Sequence, residues 1–303
     1  MRNEDTMDIE PQRAGLFGAT APPTVELPDI LGDDALWSLC DKDPRWLLKL
    51  IDQQMETSQK LWDKPLPWFR GSAAGEPCSR ALTFASMGHR VPFEARVLRI
   101  FRTGSAIEEV NIKAMDAAGV LDASKLQASA DYIDPPIKGH VDCVLKRPGT
   151  GEAFLGEIKS IKQELFKKLP DEHGVILAGK SPLKDSRYIT YLKQWNTYAW
   201  SKNIDLELGF LLFEAKNDQA QKIFWLLRDS VLLEKVIKIR QVAAPYVTGK
   251  PMRVAPIPKG FDPLDESRGN KCGYCDHRYL CKRLPKKGAT RDEAKAKDAQ
   301  LRG

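Results

Sequence analysis

The sequence predicts a mixed α/β protein: a β-sheet flanked by helices, with a helical arm before it and a cysteine-rich segment after it. Three observations predict this. Helical and strand patterns alternate between residues 76 and 247, a strand–turn–strand unit spans 139 to 160, and three cysteines crowd between Cys272 and Cys281. The 303 residues suit about two domains, or one large domain with appendages. At 42% hydrophobic and 29% charged residues the composition is that of a globular chain. No stretch approaches the roughly 18 apolar residues of a membrane helix, so none is expected. The first thirty residues mix acids with prolines, unlike a secretory leader, and the expected location is intracellular, in the cytoplasm. The formal net charge of +6 permits contact with a polyanion without demanding it.

The elements follow in order. Residues 1 to 40 have no sustained period and read as an arm with one short helix near Asp33 to Cys40. From Pro44 to Trp62, Trp46, Leu47, Leu50, Ile51, Met55 and Leu61 fall at near-helical spacing behind an N-terminal proline, which predicts an amphipathic helix outside the main core. A Pro/Gly-rich link at 64–77 precedes a helix over 95–118 that stops at Gly119. GHVDCVLK (139–146) alternates as a strand, RPGTGE is turn chemistry, and AFLGEIKS (153–160) is again a strand, which together make a hairpin. A helix over 187–201, strands near 206–215 and 221–228, and a helix over 230–243 complete the core. The expected organisation is an arm and helix (1–75), a core (76–250), a cysteine segment packed on it (251–285) and a mobile charged tail (286–303).

The hairpin carries the sharpest chemical signal. Side chains two apart on a strand share a face, so Glu157 and Lys159 point one way and Ile158 points into the core. If the turn closes symmetrically, Lys146 opposes Ala153 and Asp142 opposes Glu157, with β-carbons about 4.5–5.5 Å apart. Carboxylates that close repel unless a cation lies between them or one is protonated. Mg²⁺ or Mn²⁺ suits hard oxygen ligands and binds phosphate as well, so phosphodiester hydrolysis follows, with Lys159 neutralising charge or orienting water. Two more Glu-x-Lys copies, Glu214 to Lys216 and Glu293 to Lys295, lack a hairpin partner; the latter reads as a solvated charge run.

Gly139-His140-Val141-Asp142 followed by Gly156-Glu157-Ile158-Lys159 resembles the PD-(D/E)XK nuclease superfamily. The resemblance implies a restriction-endonuclease-like core in which Asp142 and Glu157 hold the metal and Lys159 assists hydrolysis. Gln194-Trp-Asn-Thr-Tyr198 looks like the Gln-x-x-x-Tyr motif of RecB-type exonucleases, with Gln194 and Tyr198 on one helix face where they would position a nucleic-acid strand. RecB-type enzymes usually carry Gly-x-x-x-His upstream. Here Gly104-Ser-Ala-Ile-Glu108 departs from it, so the resemblance implies Glu108 as the third metal ligand, with Glu109 as the fallback.

The trio Cys272, Cys275 and Cys281 has the spacing C-x₂-C-x₅-C, which in a reducing compartment points to a metal or cluster. Spacing leaves the fourth ligand open: His277 would complete a structural zinc site, and Cys78 an iron–sulfur site. The resemblance favours the second. AddB-like and CRISPR-associated spacer-processing nucleases hold a [4Fe–4S] cluster with one cysteine before the core and three after it. Cys143 reads as a small buried apolar residue, and Cys40 has no partner in view.

The implied partner is DNA. Lys162, Lys167, Lys168, Lys180, Lys184, Lys271, Arg278, Lys282 and Arg283 are candidates for phosphate contact, and Trp195 and Trp200 for stacking on a single strand. The expected activity is a metal-dependent DNA exonuclease serving recombination, repair or viral genome processing. The competing expectation is a non-catalytic DNA-binding or recruitment module with structural zinc. The chain has no G-x-x-x-x-G-K-[ST] loop, so unwinding would fall to a partner helicase or recombination protein. Cutting polarity and oligomeric state are not legible.

Overall fold

The computed structural model describes residues 45–170, 175–177, 186–265, 267, 271–273 and 275–302. The short helix expected near Asp33 to Cys40, Cys40 itself, Lys180 and Lys184 lie outside the described residues. The chain divides into two units, Met1–Ile51 and Asp52–Gly303. Helix α1 (Arg45–Thr57) spans the division and ends five residues before the expected Trp62, with Thr57 Oγ1 donating back to Gln53 O. In the second unit Glu56 Oε1 accepts from Ala95 N (2.8 Å), and the Gln59 amide bonds both the N–H and the carbonyl of Phe93.

Strand β1 (Phe69–Arg70) and helix α2 (Ser79–Ser86) precede helix α3 (Ala95–Ala117). Gly119, at φ +68°, stops α3 in the left-handed conformation that a glycine adopts without steric cost. Strands β2 (Ser129–Tyr132) and β3 (Ile137–His140) complete a small sheet of order β1-β3-β2. The stretch expected as one strand, 139–146, is broken. Its first half pairs in this small sheet, and Cys143–Lys146 (β4) pairs in another, antiparallel to β5 (Ala153–Ile161). The break falls at Val141 and Asp142, where the Asp142 carboxylate takes over a ladder position by accepting the Ile158 N–H. The register is the expected one, Lys146 to Ala153 through Cys143 to Gly156.

Strand β6 (Val175–Leu177), helix α4 (Ser186–Ala199), β7 (Leu208–Ala215), β8 (Gln221–Leu227) and helix α5 (Ser230–Thr248) finish the core. The main sheet has order β4-β5-β7-β8-β6. Strands β5 and β7 are parallel, so the chain between them must cross over one face, and α4 lies on that connection. Leu155, Leu211 and Phe213 pack with Tyr188, Leu192 and Trp195 of α4; Phe154, Ile158, Phe210 and Leu212 pack with Ile112 and Met115 of α3. The architecture is mixed α/β with the sheet flanked by helices. Helix α5 runs past the expected end, through Pro245 to Thr248. Buried Ala243 and Val247 pack with Phe69, Leu82 and Ile137, and this burial outweighs the proline penalty. Among the described residues no helix is long and apolar enough to cross a membrane.

The C-terminal segment corrects the expectation of a mobile tail. Strands β9 (Arg253–Val254) and β10 (Ala289–Thr290) pair, and helix α6 (Arg291–Arg302) follows. Thr290 and Glu293 cap it reciprocally: Thr290 N donates to Glu293 Oε2 and Glu293 N to Thr290 Oγ1. Asp298, buried, accepts from Trp62 Nε1 (2.9 Å), Tyr279 Oη (2.5 Å) and Arg302 Nε (2.9 Å). Burial disfavours its charge, but these bonds outweigh that and hold its carboxyl below the usual range. Asp298→Ala removes the acceptor shared by Trp62, Tyr279 and Arg302, of which Tyr279 keeps His89 Nε2 at 2.9 Å, and is expected to cost about 2–4 kcal/mol, read as faster amide exchange across 291–302. Exchange at the wild-type rate would show that the network does not hold the helix.

Candidate active site and cysteine pocket

Glu157 and Lys159 share a face of β5, and the Lys159 ammonium donates to Glu157 Oε1 while sitting 5.7 Å from the centre of the Tyr191 ring. Asp142 Oδ2 accepts from Ile158 N at 2.8 Å, which holds its carboxyl against β5 beside Glu157. Gln194 Nε2 donates to Glu157 Oε1 (2.7 Å) and approaches Tyr198 Oη (3.5 Å). Glu108 projects from α3 toward this cluster and accepts from Gln127 Nε2 (3.2 Å). Its neighbour Glu109 turns away to an exposed pair with Lys113, so Glu108 is the acid in place.

Electrostatics separate this cluster from an ordinary ion pair. Glu157 is 1% exposed and Asp142 9%. Burial pushes Glu157 up to about 8 despite the adjacent Lys159, and Asp142 adds to the rise. Burial also raises Asp142, and burial together with the Asp142 charge raises Glu108. Lys159 stays protonated, because Glu157 and Asp142 outweigh its own desolvation. Three carboxyls share one ammonium, so once Glu157 also ionises the set is two negative charges in excess, which a divalent cation would balance. The oxygen donor set therefore fits Mg²⁺ or Mn²⁺. Glu108 lines a concavity of about 460 Å³ on one side. Gln194 and Tyr198 line another of about 450 Å³, with Trp68, Arg70, Lys138 and His140.

Several expected contacts fall elsewhere. Trp195 cannot stack on a base: it is 1% exposed and donates to Leu155 O within the core. Its place at helical spacing is a core position. Trp200 lies under the Arg228 guanidinium at 4.0 Å. Arg278 is held by the carbonyls of Pro263 and Asp265 rather than standing free. Lys162, Lys167, Lys168, Lys271 and Arg283 are exposed. Glu214 is buried but accepts from Asn111 and Gln221, and Lys216 donates to Ile100 O, so this second Glu-x-Lys is structural. Gln127, Trp68 and Lys138 were not legible as site neighbours, since a tertiary approach brings each there.

Tyr198 packs against two glycines: a β-carbon on Gly71 would lie 2.3 Å from its ring, and one on Gly139 2.6 Å. Gly139→Ala must displace Tyr198 and with it Gln194. The expected cost is about 1–3 kcal/mol, with an accompanying fall in activity. Wild-type stability and activity would show that the ring yields freely.

The cysteine segment returns to the start of α2. Cys78, Cys272, Cys275 and Cys281 line one pocket of about 220 Å³, together with Glu76 and Arg80. Cys275 N donates to Cys272 O and Cys281 N to His277 O, so local turns gather the trio. Burial pushes the Cys78 thiol up to about 11 and Cys275 up to about 12, and raises Cys272 and Cys281 as well. The thiols are protonated near neutrality, and a bound metal would displace those protons. Four thiols facing one cavity fit a cluster. His277, the zinc alternative, is engaged: its Nδ1 pairs with His89 Nδ1 at 2.8 Å and its ring stacks on Phe84. Cys143 is fully buried in the core, as expected. Among the described residues no group of three or more His, Cys, Asp or Glu is gathered so as to hold a metal ion.

No protein-family model matches the chain, and no curated protein does. The crystal structure of a protein designated SSO0001 is similar over 80% of this chain and 96% of that chain, at 14% identity and a TM-score of 0.40.

Proposed function

We propose that the protein is a Mg²⁺- or Mn²⁺-dependent deoxyribonuclease, a RecB-type exonuclease of the PD-(D/E)XK superfamily, acting in DNA recombination, repair or viral genome processing. The observation that carries this reading is the set of two buried acids, Asp142 and Glu157, with the half-buried Glu108 beside them, sharing the ammonium of Lys159. Folding concentrates negative charge there at a cost, and a site that binds a cation and a phosphodiester uses it.

Glu108, Asp142 and Glu157 would hold the metal, which supplies Lewis-acid polarisation of a phosphoryl oxygen and activation of water. Lys159 orients the attacking water and offsets charge that develops on phosphorus oxygens. Gln194 fixes the Glu157 carboxyl through its 2.7 Å bond, and Tyr198 backs Gln194. The DNA strand would lie in the adjoining concavity, where Arg70 and Lys138, whose ammonium sits over the Trp68 ring at 4.9 Å, offer phosphate contacts. Cys78, Cys272, Cys275 and Cys281 would hold a [4Fe–4S] cluster, which would staple the two ends of the core.

The test is release of nucleotides from end-labelled single- and double-stranded DNA with and without Mn²⁺. Metal-dependent release that Lys159→Ala removes supports the reading. No release by the wild type, or equal release by the variant, ends it.

A further inference from the structure

Arg80 is 1% exposed, two residues after Cys78 in α2. One nitrogen, Nη1, donates to the carbonyls of Ala255 (3.1 Å), Pro285 (3.0 Å) and Lys286 (3.2 Å), tying together chain on both sides of the cysteine trio. The other two, Nε and Nη2, are buried with no hydrogen bond of ordinary geometry; the Cys281 thiol is the polar group they approach. A guanidinium taken out of water costs several kcal/mol unless it is paired, and removing its partner strands a charge. Glu76, the acid in the same pocket wall, spends its Oε1 on the Cys78 N–H. Arg80 thus brings a positive charge and unanswered N–H groups into the wall of a cavity faced by four cysteines.

We infer that Arg80 is the buried counter-charge and N–H donor to the group held by Cys78, Cys272, Cys275 and Cys281, and that it makes a [4Fe–4S] cluster there easier to reduce. This rests on the cluster assigned above. A cluster held by four thiolates is anionic, and its reduced form more so, so a fixed cation favours the reduced form. Bridging sulfides and ligating sulfurs are the acceptors that Nε and Nη2 lack. A lone zinc ion answers the geometry less well. Its four thiolates fill its coordination and leave no further sulfur for Nε and Nη2 beyond those four, whereas a cluster adds bridging sulfides. Arg80 is accordingly a positioning and tuning residue, since the cysteines bear the ligation.

The experiment is dithionite titration of the anaerobically purified full chain, followed by bleaching of visible absorbance, with iron and sulfide assayed in parallel. Arg80→Met that assembles the cluster is expected to reduce at a more negative potential than wild type, with Arg80→Lys in between. A loaded Arg80→Met at the wild-type potential overturns the inference and leaves the cluster standing. Wild type that carries zinc and no iron overturns both, without touching the nuclease reading, which the DNA assay judges separately. Should Arg80→Met fail to assemble iron, protein grown on ¹⁵N-arginine decides. The reduced wild-type cluster is expected to show ¹⁵N coupling by pulsed paramagnetic resonance that Arg80→Lys lacks. The same coupling in both proteins overturns the inference.

Discussion

Asp142→Asn is expected to lower Mn²⁺-dependent DNA hydrolysis by about 100- to 10,000-fold, the range that removal of one essential charge from a preorganised site produces. The amide retains an oxygen to accept the Ile158 N–H, so the strand junction stays intact and the loss reads chemistry rather than folding. Glu157→Gln is expected to match it in activity while changing stability the other way. The Glu157 carboxyl titrates near 8 in the folded chain, above its usual value, because of burial. Its stabilising contribution is therefore present at low pH and lost as pH rises through about 8. Metal-free protein should melt at progressively lower temperature as pH rises from about 5 to about 8 and level off above that, and Glu157→Gln should flatten that fall. Its melting temperature at pH 8.5 should exceed wild type by a few degrees. Saturating Mn²⁺ should restore wild type and do little for the variant. A variant that melts lower than wild type at every pH would make Glu157 a structural ion-pair partner, and the metal assignment would fail with it.

If the proposed cluster is present, Cys275→Ser is expected to abolish iron binding and visible absorbance and to lower stability by about 2–5 kcal/mol, because a metal held only by folded chain contributes its binding energy to folding. The loss should spread from the cysteine segment to α2 and α6. The start of α2 carries Cys78, and Tyr279, between the cysteines, is the donor to Asp298 of α6. Wild-type protein that is colourless and contains stoichiometric zinc would replace the cluster with a structural zinc site. Unchanged metal content in Cys275→Ser would remove Cys275 from the ligands altogether.

Strand periodicity and a Gly-containing turn were enough to set the β4–β5 register, because the turn geometry and the two-residue repeat leave few alternatives. The pairing of Glu157 with Lys159 follows from the same repeat. The end of α3 was legible at Gly119, where backbone conformation is a local matter. The break at Asp142 was not, because alternation does not reveal that a chain leaves one sheet for another. Helix α6 was misread as a tail since its composition is polar; the Thr290–Glu293 capping box was the available signal, and Asp298 gains its partners only from distant chain.

Order along the chain fixed which groups could do chemistry here: acids and a lysine two apart on a strand, a closely spaced cysteine trio, and a lone cysteine far upstream. Tertiary structure decided which of them meet. It chose Glu108 over Glu109, buried Trp195, turned Gln194 onto Glu157, and brought Cys78 and Arg80 to the trio. The physical reason is that spacing determines direction within one element, whereas desolvation and the approach of charges across elements depend on how the whole chain packs.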